Sequence, residues 1–304
     1  MLPERIASSL RTMVRARRNA RNLRELERRE QTWLAIKGKE ESLLVEIQRG
    51  VTIAAYTDSE LCRLIYKGGF ELEERQLVCK FLRRGDTFVD LGANIGLYTL
   101  AASKAVTLAG RVFAFEPCSG TYARLLENVE RNRLTNIQCR RIAMSSSGGS
   151  LMMTISSDGF DAWNSAGRPT MGARFDDESV PCETWDSFVE QEGLRGAVQL
   201  VKVDIEGWEG HFLAGGAGEL SRPDAPSMLI ELNNVAAEAA GSSVDLLRHQ
   251  LKALGYALYR IGSEGLSRQL GDCETISGSE NVLAVKNLEM VLGRLAGGRS
   301  NWMR

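Results

Sequence analysis

The chain has 304 residues, 43% hydrophobic and 25% charged, enough for one large or two small folded domains. Its net charge of -1 conceals a split: residues 1–30 carry nine Arg against four Glu, while the remainder is acidic by six charges and is a poor electrostatic partner for nucleic acid, a local basic groove aside. Six scattered Cys and two His argue against a disulfide framework or a metal site, and no apolar run approaches the ~18 residues of a membrane span or the compact apolar core of a secretion signal, so a cytoplasmic protein without a metal is expected.

Residues 3–35 contain no internal Gly or Pro after Pro3 and place Ile6, Leu10, Met13, Leu23, Leu26 and Trp33 at helical spacing, with a polar gap at Arg17-Arg18. Residues 1–42 are therefore read as a basic helical extension, either a surface helix or coiled-coil arm, or a weak contact with a membrane or partner. A single domain is set at 43–290 and a tail at 291–304. Residues 43–57 predict a hairpin turning at Arg49-Gly50, and Glu71–Phe81 a helix. Strand and helix then alternate. Thr87–Leu91, Arg111–Glu116 and residues 137–145 are strands, separated by helices over Gly96–Thr107 and from Ser119 onward. Val198–Glu206 and Ser227–Asn233 are later strands, and residues 244–255 form a helix. Residues 256–262 and 281–287 close the chain as two strands with no helix between them. Apolar strands alternating with helices predict a doubly wound, mostly parallel sheet covered on both faces, and the last two strands predict an antiparallel pair at its edge. Residues 145–180 fit neither period. A short hairpin at Leu151–Ile155 and an ordered, aromatic-bearing loop are expected there.

The stretch "FVDLGANIG", Phe88–Gly96, is the strongest chemical signal. A parallel strand delivers its carboxyl end to the binding edge of the sheet, and Gly92 and Gly96 permit a sharp turn with close backbone approach to a ligand. Asp90 ends the strand, and a carboxylate there suits a ligand bearing an ammonium better than one rich in phosphates. S-adenosylmethionine meets that description. Asn94 stands where glycine is common, and Asn tolerates a left-handed backbone. Glu116 ends the next strand, twenty residues after Gly96, where doubly wound folds place the acid that binds ribose hydroxyls.

In order, "DLGANIGLYTL", "FAFEP", "IAMS", "VKVDIEGWEGHFLAGG" and "LIELNN" resemble the FkbM-type family of S-adenosylmethionine-dependent methyltransferases. The resemblance spans roughly residues 65–286. It implies the seven-stranded class I methyltransferase sheet, Rossmann-like with an antiparallel last strand, and methyl transfer to a hydroxyl oxygen. Asp90, Gly92, Asn94 and Gly96 match the cofactor loop and Glu116 the ribose acid. Ala143, just past the third strand, falls where class I enzymes contact adenine.

"VKVDIEGWE" is the second centre. Methyl transfer from a sulfonium is an in-line displacement that requires the acceptor oxygen to be aligned and its proton removed. Asp204 and Glu206 are the catalytic candidates, with capping of the next helix as their structural alternative. Lys202 is a candidate partner for Asp204. His211 is read as a packing or surface residue rather than a base. Glu231 and Trp163 are candidates for substrate contact, and Trp185 for the core. The expected acceptor is a hydroxyl on a small molecule, saccharide or glycan. A nucleic-acid methyltransferase is disfavoured because "DIEGW" stands where amino-methylating enzymes carry an Asn/Asp-Pro-Pro-aromatic motif. A nicotinamide-dependent reductase lacks its GxGxxG turn and catalytic pair here, and a cofactor-binding module without chemistry stays open.

Overall fold

The computed structural model describes residues 22–156, 175–263, 265–271, 274–276 and 278–297. A helix over residues 22–36 (α1) leads into a hairpin, β1 (Ser42–Gln48) and β2 (Val51–Tyr56), and then α2 (Glu60–Lys67) and α3 (Leu72–Phe81). An alternating unit follows: β3 (Thr87–Leu91), α4 (Leu97–Val106), β4 (Arg111–Phe115), α5 (Ser119–Arg131) and β5 (Ile137–Arg140). A small separate sheet comprises β6 (Ala143–Met144), β7 (Gly149–Ser156) and β8 (Phe175–Glu183). The chain continues through α6 (Trp185–Gln191), β9 (Leu200–Val203), α7 (Glu209–Gly215), α8 (Ala217–Leu220), β10 (Ser227–Asn233), α9 (Asn234–Ala239) and α10 (Val244–Ala253). It closes with β11 (Ala257–Gly262), β12 (Gly265–Gln269), β13 (Ser279–Val285) and α11 (Leu288–Gly297).

The central sheet has the order β12-β11-β13-β10-β9-β3-β4-β5. Strands β10, β9, β3, β4 and β5 run parallel, and β13 runs antiparallel to both β10 and β11. The expected seven strands with an antiparallel last strand are present. That last strand lies inside the sheet, between β10 and β11, and an eighth strand, β12, forms the edge. From β3 the chain builds outward through β4 and β5, then returns to the other side of β3 with β9. This reversal opens a crevice at the carboxyl ends of β3 and β9, the place where open α/β sheets bind ligands.

Strand side chains alternate between two cores. Val89, Leu91, Val201, Val203 and Ile230 enter one core with Trp185, Phe188 and Phe212. Phe88, Val112, Leu200, Leu229 and Leu283 enter the other with Phe81, Ile95 and Leu100. Near-complete burial on both faces explains why these strands read as continuous apolar runs.

Three departures from the sequence reading have local causes. Residues 137–145 form two strands, because β5 stays in the central sheet while β6 pairs with β8 in the small one. Arg140, which pairs with Glu192, and Arg141, which pairs with Glu178, anchor the bend between them. The strand β8 carries Asp, Glu and Pro, yet the full-length pairing of Gly149–Ser156 with Phe175–Cys182 overrides that poor propensity. The short helix α2 went unread although its signals are ordinary: the Ser59 side chain accepts the Cys62 N–H at 3.1 Å, and Gly68 closes the helix.

The boundaries set at 42 and 290 do not mark breaks in packing. Trp33 of α1 is 1% exposed within the second core, and Glu30 pairs with Arg63 and Lys67 of α2. At the other end, Val291 of α11 is buried and Arg294 pairs with Asp86. The basic half of the N-terminal segment, before residue 22, lies outside the described residues.

Asn128 of α5 and Asn132, which caps that helix, hold the hairpin and the turn after β3 in place. Asn132 accepts the Thr52 N–H at 2.9 Å and donates to the Thr52 carbonyl at 2.6 Å. Asn128, fully buried, accepts the Ala54 N–H at 2.7 Å and donates to the Ile95 carbonyl at 2.9 Å. Asn128→Ala strands two buried backbone groups and is expected to destabilise the fold by about 3 kcal/mol. Urea denaturation of the full chain measures this, and a loss below about 0.5 kcal/mol contradicts the bridging role.

Candidate active site

The site is assembled from turns at the carboxyl ends of β3, β4, β9 and β10. After β3 the N–H groups of Gly92 and Ala93 both donate to the Phe115 carbonyl of β4, at 3.0 and 2.9 Å. Gly92, Asn94 and Gly96 all have positive φ, of 76°, 48° and 98°. Asn94 thus adopts the left-handed backbone expected of it, and its side-chain oxygen accepts the Ile95 N–H at 2.8 Å. Glu116 locks the turn from the next strand: its Oε2 accepts the Asn94 N–H at 3.0 Å and its Oε1 the Cys118 N–H at 3.0 Å.

These residues border a cavity of about 470 Å³, within the range of about 300–1,000 Å³ typical of ligand sites. Gly92, Asn94, Glu116 and Ala143 line it together, as do Asp204, Glu206 and Glu231. Two expected cofactor residues occupy other places. Asp90 is 1% exposed and does not line the cavity. Its Oδ2 accepts the Thr99 hydroxyl at 2.6 Å beneath the loop, and its Oδ1 forms no hydrogen bond among the described residues. Burial pushes this carboxyl up, against the pull of Lys202. Gly96 starts α4, and a Cβ there would stand 2.9 Å from Leu125, so glycine serves the packing of α5.

The acid turn after β9 is equally constrained. Glu206 and Gly207 have φ of 52° and 93°, and a Cβ on Gly207 would lie 2.1 Å from the Ala236 carbonyl oxygen. Glu209, 4% exposed, accepts the Ile205 and Gly207 N–H groups at 3.0 and 3.3 Å and so clamps the turn from α7. Lys202 is buried and donates to Asp204 Oδ2 at 2.9 Å. Burial alone would lower the Lys202 ammonium, but Asp204, Asp90 and Glu71 outweigh it and hold it above its ordinary value.

Carboxylates from β9, β10 and the segment before α3 face one another across the cavity. The ligand oxygens of Asp204, Glu206 and Glu231 lie within 4.8 Å of one another, a spacing that can hold a cation. The sequence, scanned for His and Cys, offered no sign of this because the trio comes from two separated strands. Burial raises Glu206 well above the usual carboxylate range, with Asp204 and Glu231 adding to it. Burial, then Asp204, pushes Glu231 up to about 8 and Glu71 up to about 7. Buried like charges raise one another's proton affinity because each opposes ionisation of the next.

Trp208 closes one wall. Its indole N–H donates to the Ser145 hydroxyl at 3.1 Å, and its ring stacks on His211 with centroids 3.8 Å apart. His211 therefore supports Trp208 and does not line the cavity. Trp185 is 1% exposed in the core, as read from sequence. Trp163 lies outside the described residues. Sequence reasoning missed Glu71, Tyr98 and Glu209. The available signal was a polar residue interrupting an apolar period, as in "GFELEE" and "GLYTL".

The cavity fits S-adenosylmethionine by its own chemistry. It offers a ribose-type acid at one end, a glycine turn beside it and carboxylates for a cationic centre. It also holds the buried Tyr98, whose hydroxyl is set against the Glu71 carboxylate. Among the described residues no phosphate-directed cation lines the glycine turn, and Lys202 is engaged with Asp204.

Among solved structures, the chain resembles M. jannaschii TYW2 in complex with AdoMet (TM-score 0.41, 12% identity, 81% of this chain and 85% of that one). It also resembles a SAM-dependent methyltransferase from Aquifex aeolicus (TM-score 0.39, 13% identity, 71% of this chain and 93% of that one). The hexuronic acid methyltransferase AglP of Haloferax volcanii is 31% identical over 143 residues, 46% of this chain and 54% of that protein, so the chain spans about half the length of this relative. Residues 90–258, more than half of the chain, match the methyltransferase FkbM domain, and the chain belongs to that family of S-adenosylmethionine-dependent methyltransferases.

Proposed function

We propose that the protein methylates a hydroxyl oxygen on a small molecule or saccharide, with Asp204 and Glu206 handling the acceptor. The observation that carries this reading is the convergence of Asp204, Glu206 and Glu231 in the cofactor cavity with raised proton affinity at Glu206 and Glu231. The hexuronic acid named for the AglP relative supports a sugar as acceptor class. When bound, S-adenosylmethionine supplies an electrophilic methyl group on a sulfonium.

The chain's own residues do the rest. Gly92, Asn94 and Glu116 hold the cofactor at the loop, and Ala143 borders its base. Lys202 fixes Asp204 Oδ2, which leaves Oδ1 to orient the acceptor hydroxyl. The carboxylate of Glu206 receives the hydroxyl proton as the oxygen is alkylated. Glu231 takes one hydrogen bond from Ser279 through Oε1, and its Oε2 is buried without a hydrogen bond among the described residues, so it suits a second acceptor hydroxyl. Phe70, Met153 and Trp208 give the cavity apolar walls that exclude water.

Glu116→Ala is expected to weaken cofactor binding by about ten- to a hundred-fold, the worth of charge-assisted bonds to a diol. Calorimetry reads this directly, and an unchanged affinity removes the ribose assignment. Asp204→Asn and Glu206→Gln should each keep cofactor affinity within about threefold and lower turnover by about a hundredfold or more, since general base catalysis contributes about that much. The base must be ionised to accept a proton and burial raises Glu206, so turnover of the unmodified chain should climb with pH across the interval above the usual carboxylate range. A flat profile over that interval, or full activity in both variants, contradicts the carboxylate assignment.

A further inference from the structure

The end of the cavity away from the ribose acid lies at the carboxyl ends of β9 and β10, where Asp204, Glu206 and Glu231 meet Ser279 of β13. Its hydrogen-bond donors are already committed inside the protein. Lys202 donates to Asp204, Ser279 to Glu231, and the Trp208 indole to Ser145.

The backbone N–H groups are used in the same way. A turn or helix start that binds an anion must aim unpaired N–H groups at it. Here the Asp204 N–H donates to the Leu91 carbonyl at 3.2 Å, and those of Ile205 and Gly207 donate to Glu209. At the start of α9, the Asn234 N–H donates to the Gly278 carbonyl at 3.3 Å. The Asn233 side chain accepts the next two, from Val235 and Ala236, at 3.1 and 3.2 Å. Glu209 and Asn233 thus take the places that a ligand's carboxylate or phosphate would need.

The charge balance points the same way. Glu60, Glu71, Glu116, Asp204, Glu206 and Glu231 line the cavity, and Lys202 is the one basic side chain that does so among the described residues. Glu60 is paired with Arg63, and Glu116 accepts the Asn94 and Cys118 N–H groups. Four carboxyl groups then stand against one ammonium, which Asp204, Asp90 and Glu71 already surround. Glu231 Oε2 is buried without a hydrogen bond among the described residues, so this end asks for a donor from its ligand. Strand β10 lies beyond β9 from the glycine turn, so Glu231 faces the part of an acceptor remote from the reacting oxygen.

We infer that the acceptor carries no acidic group: the site takes an uncharged hydroxyl compound and rejects its carboxylate or phosphate counterpart, with Glu231 setting that selectivity. This narrows the proposed function and rests on it. Like charges brought together in a binding site are strongly disfavoured, and that penalty falls on the acidic counterpart alone.

The test is methyl transfer from S-adenosylmethionine by the full chain to matched acceptors. These are the methyl glycosides of glucose, mannose and galactose, each with its uronide and its sugar phosphate, and phenol with hydroxybenzoate. The comparison is made at about pH 9, where a Glu231 raised to about 8 is ionised. Each acidic compound should show a kcat/KM at least about a hundredfold below its neutral partner. Glu231→Gln keeps an oxygen for Ser279 and removes the charge, and it should narrow that gap about tenfold. The gap is a ratio within one preparation, so loss of folded protein cancels. Acidic acceptors used as well as neutral ones overturn the inference and leave hydroxyl methylation standing. Acidic acceptors used only with added Mg²⁺ overturn it as well, because a cation then occupies the carboxylate trio. An unchanged gap in Glu231→Gln overturns the assignment to Glu231. If the chain binds S-adenosylhomocysteine and methylates none of the compounds, the proposed function fails, and this inference with it.

Discussion

The site depends on one close approach. A Cβ on residue 92 would stand 1.8 Å from the carbonyl oxygen of Asp204, so only glycine lets the turn after β3 settle against the turn after β9. Gly92 holds φ 76° there, and its N–H reaches across to Phe115 on the opposite neighbour. Three strand ends are thereby fixed to one another through backbone atoms. The glycine turn, Glu116 and the acid turn cannot shift independently. Any account of the chemistry starts from that rigidity, because in-line transfer tolerates little error in position.

Around this frame the protein concentrates negative charge in a place that burial makes unfavourable. Glu71, Glu206, Glu209 and Glu231 are all raised by burial first and by neighbouring carboxylates second. Lys202 opposes this at Glu71 and Glu206 from within the strand, and it donates to Asp204. Under the proposed function, one of these carboxylates would take up the acceptor proton.

Much of this was legible in the sequence, and the rest was hidden for identifiable reasons. The parallel core, the glycine turn, Glu116 and the acid turn follow from period, punctuation and spacing, which are local. Asp90 was assigned to the ligand because it ends a strand, but its parity with Phe88 places it on the face covered by α4. Lys202 and Glu231 share that face and break the apolar alternation where the cavity opens, a signal that becomes readable once strand order is known. Glu71 and Tyr98 meet only through the packing of α3 and α4 on the sheet, so nothing in their spacing announces a pair. The strand β8 was missed because its partner strand, not its own composition, makes it a strand.

The central claim is that this cavity is built for a sulfonium donor and not for a dinucleotide. It is tested most directly by titrating the full chain, side by side, with S-adenosylmethionine and with NAD. The structure predicts one-to-one binding of S-adenosylmethionine and no measurable heat with NAD, because the glycine turn is bordered by Glu116 and, among the described residues, by no free cation for a pyrophosphate. Saturable binding of NAD with none of S-adenosylmethionine would contradict it.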